Sequence, residues 1–143
     1  MYIIRRTFEV WGITAAICLC VAWCQVGAAG LDGSTPIICA FTSAAGCDSG
    51  SGCESTTPEA LGLPRFFRVD FTNKRIIAAG PVQEGTKTET KIQNFQRLDG
   101  QLVFQGVEVR GWSMVVTENT GRMTLTASGD DEAFVLFGAC ISQ

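Results

Sequence analysis

From Arg65 onward apolar residues recur at every second position. Phe67, Val69 and Phe71 alternate with Phe66, Arg68 and Asp70, the pattern of a strand with one buried face. Thr72-Asn73-Lys74 makes a turn, Arg75 to Ala79 returns, and Gly80 to Gly85 is loop. Thr88 to Leu98 meets Gln101 to Glu108 across Asp99-Gly100, a strong short-range hairpin signal. Leu102, Phe104 and Gly106 share a face of the returning strand, and Gly111 leads into Trp112, Met114 and Val116. After Glu118-Asn119-Thr120-Gly121, Met123, Leu125 and Ala127 alternate with Arg122, Thr124 and Thr126. The last strand, Ala133 to Cys140, is apolar on both faces, which predicts a central or barrel-closing place. Ile92, Phe95 and Leu98 recur at intervals of three, as in a helix. The β-branched Thr86, Thr88 and Thr90 before them, and the hairpin turn after them, favour a bulged strand.

Upstream the pattern is weaker. Leu31 to Pro36 is a polar lead-in, Ile37 to Phe41 a first strand, and Thr42 to Thr57 an irregular Gly/Ser loop held by cysteine. Thr57-Pro58-Glu59-Ala60-Leu61-Gly62 carries an N-cap candidate, an early Pro and a stopping Gly, enough for one helical turn. The fold class that follows is all-β: an antiparallel meander of seven or eight strands, closed as an up-and-down (calycin-like) barrel or stacked as a sandwich. Residues 30–64 and 65–143 then form one domain. A chain of that size buries roughly two thirds of its surface, so a core is feasible.

Residues 1–29 read as a secretory signal helix. Arg5 and Arg6 form a positive n-region, the 15 residues from Val10 to Cys24 are apolar, and Gly27, Ala28, Ala29 and Gly30 close the segment. Cleavage is expected among Ala28, Ala29 and Gly30. The run is short for a span that wants about 20 residues, and an uncleaved anchor is the alternative. Arg5-Arg6-Thr7-Phe8 lacks the flanking residues of a twin-arginine signal. No cysteine of this segment follows a small residue as lipid attachment requires, since Cys18, Cys20 and Cys24 follow Ile17, Leu19 and Trp23.

Cleavage changes the cysteine count. Of 7 cysteines, Cys39, Cys47, Cys53 and Cys140 remain, an even set suited to an oxidising, periplasmic or extracellular destination. Cys47 and Cys53 bracket a flexible five-residue loop. Their pairing leaves Cys39–Cys140 to tie the first strand to the last; the crossed pairings remain open. A four-cysteine zinc site would need the close C-x2-C knuckles this spacing lacks, so no metal or other cofactor is expected.

With no histidine in the chain, Ser-His-Asp and Cys-His catalysis and imidazole ligation are excluded. From Gly30 onward nine Lys and Arg face thirteen Asp and Glu, without blocks of like charge. That balance predicts no nucleic-acid partner and no membrane contact beyond the export signal. Asp48-Ser49-Gly50 matches the short signature of aspartic proteases, and Val135-Leu136-Phe137-Gly138 would pass for its later apolar element. Catalysis there needs a second carboxylate sharing a proton on a rigid strand end, whereas this tripeptide sits in a Gly/Ser loop. We read it as a polar turn and assign no catalytic residue. Asp130-Asp131-Glu132 has no ligand ladder for calcium and reads as a solvated turn. Ligand-binding candidates are Trp112 with Phe104 and Met114, which could line a lipophilic pocket in a barrel mouth, and Arg68, which shares a strand face with Asp70.

The segments Phe67-Arg68-Val69-Asp70-Phe71, Asp99 to Gly106, Gly121 to Thr126 and Phe137-Gly138-Ala139-Cys140 give the stretch Pro64 to Cys140 a resemblance to small exported bacterial β-rich proteins of unknown function. The resemblance implies an exported β-domain and brings no activity, substrate or site. The expected function is a non-catalytic binding or structural module, its partner a protein or a small apolar ligand. A calycin-like carrier of a small apolar ligand and an aspartic-dyad hydrolase are the alternatives.

Overall fold

A computed structural model of the chain describes residues 30–143; the signal segment expected over residues 1–29 lies outside them. Among the described residues ten strands are formed: β1 (Ile37–Asp48), β2 (Gly52–Thr56), β3 (Phe66–Asp70), β4 (Arg75–Ala78), β5 (Glu89–Lys91), β6 (Asn94–Leu98), β7 (Gln101–Val107), β8 (Gly111–Thr117), β9 (Arg122–Ser128) and β10 (Glu132–Ser142). All neighbours are antiparallel, and nine strands follow one path, β5-β4-β3-β1-β10-β9-β8-β7-β6. The sheet curls into a half-barrel. It is one sheet folded around its own core, so the sandwich alternative does not hold.

The two ends of the path are consecutive in the chain, separated only by Ile92 and Gln93. The Ile92 N–H donates to the Lys74 carbonyl (2.8 Å), on the β4 side, and the Gln93 N–H to the Gln105 carbonyl (2.9 Å) on β7. The backbone therefore changes partners within two residues. This bend turns Ile92 into the core and lets it share the inner side with Phe95 three residues on, whereas Leu98, the third member of the helix-like interval, is exposed on β6.

β1 departs from expectation. Its pairing with β10 runs on past a bulge at Phe41/Ser43 to Asp48, through the region expected to be loop. Along its other edge it pairs first with β3 over Ile37–Ala40, then with β2 over Ala44–Asp48. Thr57 accepts the Ala60 N–H (3.2 Å) at the start of the short 3-10 turn Glu59–Leu61, and Gly62 ends it in the left-handed region. β10 is central, between β1 and β9, as expected. Its outer face, however, is open to solvent: Phe137 is 49% and Ile141 68% exposed.

Among the described residues two disulfides are present, Cys39–Cys140 and Cys47–Cys53. Both join directly opposed residues, the first inside the core between β1 and β10, the second on the exposed β1–β2 hairpin. Two such bonds point to a non-cytoplasmic, oxidising environment. Among the described residues no helix is long and apolar enough to cross a membrane.

The two ends of the half-barrel are filled differently. At one end Phe71, Phe95 and Phe104 pack with ring centroids 5.0–5.8 Å apart. Phe104 is fully buried there with Leu102, Met114, Val116 and Met123, whereas Phe71 is half-buried and Phe95 stands exposed at the edge. The lead-in segment closes this end, with Leu31 buried and Gly33 against the Phe71 and Phe95 rings. At the other end the small Ala78, Thr90 and Ala127 stand among the inward positions, and there a cavity opens.

Candidate functional site

Inward-pointing residues alternate with outward ones along each strand. Phe41, Phe67, Ile76, Leu125, Phe134 and Leu136 therefore present an apolar wall from β1, β3, β4, β9 and β10 to a cavity of about 460 Å³. That volume lies within the range of small-ligand sites. Leu61 and Leu63, on and after the 3-10 turn, line its rim.

Trp112 forms the wall on the β8 side. Its indole lies over Gly106, directly across on β7, where any Cβ would run into the ring. Thr90, paired with Ile76 of β4, faces the same space from β5. The loop between β7 and β8 completes the mouth with Glu108, Val109 and Arg110. Two ion pairs clasp that loop from either side: Lys87 to Glu108, and Arg110 to Glu132 at the start of β10. The Arg110 guanidinium also lies over the Phe134 ring, 4.9 Å from its centroid. Arg75 holds Glu89, the other carboxylate of the lining, at 2.9 Å. On the adjoining rim, Arg65 donates to Glu59 (2.6 Å), and this hydrogen bond holds the Glu59 carboxyl below its usual range.

Three polar side-chain atoms of the described residues are buried without a hydrogen-bond partner: Thr90 Oγ1, Arg110 Nε and Trp112 Nε1. All three belong to residues that line this cavity. Buried polar groups are ordinarily satisfied, and each exception needs a reason.

Of the four binding candidates, only Trp112 lines the cavity. Phe104 and Met114 point inward as expected but sit fully buried in the packed end. Arg68 stands on the outer face of β3, between the buried Phe67 and Val69. Asp70 bonds the Asn73 backbone and side chain (3.0 and 2.8 Å), which lowers its pKa and fixes the turn. Sequence reasoning missed Thr90, Arg110, Leu125, Ala127 and Phe134. Their alternation was visible, but not which strand ends share a mouth.

Asp48 is an exposed turn residue. It accepts the N–H groups of Gly50 (2.9 Å) and Ser51 (2.7 Å) and the Ser51 hydroxyl, which together lower its pKa. This is the chemistry of an Asx turn, not of two carboxylates sharing a proton. Opposite it, Glu132 is taken by Arg110. No cluster of three or more potential metal ligands occurs among the described residues. The chain matches no protein-family model, no curated protein and no solved structure.

Proposed function

We propose that this chain is an exported, non-catalytic binding domain, stabilised by its two disulfides, that carries a small apolar ligand in the open end of the half-barrel. The observation behind this reading is the cavity itself: about 460 Å³, walled by aliphatic and aromatic side chains on a rigid sheet, and framed by ion pairs at the mouth. A preformed concave apolar site with a few polar groups is the general form of a small-molecule site. Export, to a periplasm or the exterior, accords with the signal pattern at the N-terminus and with the disulfides.

Titration with the neutral fluorophore N-phenyl-1-naphthylamine tests the reading. Saturable, single-site enhancement is expected. Ala127→Trp, which fills the cavity, should weaken it at least about ten-fold, as loss of roughly one buried ring's contacts implies. Absence of saturable binding by the unaltered protein would overturn the proposal. Intact mass of the exported protein, with and without reduction before thiol alkylation, tests the address. An N-terminus near residue 30 and no free thiol are expected; four alkylated thiols without reduction would refute the oxidised form.

A further inference from the structure

We infer that the ligand of this cavity is an amphiphile bearing a hydrogen-bond acceptor, a carbonyl or carboxylate, which is taken up by Trp112, Thr90 and Arg110. The inference rests on the cavity reading above and adds the chemistry of the ligand's head.

The buried unpartnered side-chain atoms of the described residues are Thr90 Oγ1, Arg110 Nε and Trp112 Nε1, and they collect at one cavity rather than scatter through the core. Trp Nε1 and Arg Nε are donors only, and a Thr hydroxyl can donate. Three donors without an acceptor ask for one from outside the chain. A group with hydrogens alone to offer, such as an ammonium, would leave the indole and guanidinium donors unmet. The carboxylates in the lining do not repel an acceptor as free charges would, because Arg75 holds Glu89 and Lys87 holds Glu108. The remaining wall, from Phe41 and Phe67 round to Leu125 and Leu136, is apolar and fits an aliphatic or aromatic body. The three atoms are out of contact with solvent, so an acceptor reaches them by local movement of the lining. Trp112 emission should therefore report binding.

The test is displacement of N-phenyl-1-naphthylamine from the exported protein by four ligands of matched chain: decanoate, methyl decanoate, decylammonium and 1-chlorodecane. Decanoate or its ester is expected to bind about ten-fold tighter than the chloride and the ammonium, the scale of discrimination by a site that loses its hydrogen bond. Preference for decanoate over its ester identifies the head as a carboxylate, and equal binding identifies a carbonyl. Trp112→Phe should reduce the decanoate-to-chlorodecane ratio to about three-fold or less, a ratio taken within one variant and so independent of its stability. Equal displacement by all four ligands, or tightest binding of decylammonium, would overturn the acceptor site while leaving an apolar carrier. A probe that never binds would remove the carrier reading and this inference together.

Discussion

A Cβ at Gly106 would run into the Trp112 indole and lie 2.8 Å from the Lys91 carbonyl oxygen. The glycine thus fixes where the wall of the cavity stands. Gly106→Ala should lower stability by about 1–3 kcal/mol, the usual cost of overpacking, and shift Trp112 emission; a variant with unchanged melting temperature and spectrum would refute the contact. Carboxylates carry the pH dependence. Arg97 holds Glu118 through paired hydrogen bonds of 2.6 and 2.7 Å, and Glu118, Glu59, Asp32, Asp48 and Asp70 all have lowered pKa values, each chiefly through a side-chain hydrogen bond. A folded-state pKa below the unfolded value means that the unfolded chain binds more protons. The stabilisation is then complete above the ordinary carboxylate range and lost as pH falls through the depressed values. With no histidine in the chain, the urea midpoint should stay level between about pH 6 and 8 and fall below about pH 4. Arg97→Gln should flatten that fall; a steep change near neutrality would contradict the assignment.

At the scale of elements, alternation was legible wherever a strand buries one face, as in β3, β7 and β9. The Asp99-Gly100 turn was equally plain, and both residues adopt the positive φ (49° and 75°) that a tight hairpin asks for. The second half of β1 and all of β2 were not legible. Their Ala, Ser, Gly and Cys residues have little strand preference, and β2 is almost wholly exposed, so tertiary pairing and a disulfide define them. The two disulfides differ in what they close. Cys39–Cys140 spans 101 residues and Cys47–Cys53 spans 6. In the chain-entropy model these contribute about 5 and about 2 kcal/mol. Urea unfolding of Cys39→Ala/Cys140→Ala should therefore show the larger loss, about twice that of Cys47→Ala/Cys53→Ala. The reverse order would mean that the exposed hairpin, not the closure of first strand on last, governs stability.

Across the whole molecule, the half-barrel is packed at one end and hollow at the other, and that asymmetry is what the sequence conceals. Trp112, Phe104 and Met114 share the inward face, yet depth along the barrel separates them, because depth depends on register across all the strands. Trp112 reaches the mouth, whereas Phe104 and Met114 complete the closed end. The unpartnered Thr90 hydroxyl tests whether the hollow end is a site or merely loose packing. A buried polar group without a partner costs about 1–3 kcal/mol, and valine has nearly the same shape without the hydroxyl. Thr90→Val should therefore stabilise the ligand-free protein, by about 1 kcal/mol, while weakening its preference for an acceptor-bearing ligand. Such opposition between stability and binding is expected where function requires an unsatisfied group. Loose packing alone would give the gain in melting temperature with no change in the decanoate-to-chlorodecane ratio. A destabilised Thr90→Val variant would show instead that the hydroxyl already serves the fold, and the acceptor site would then rest on Trp112 and Arg110 alone.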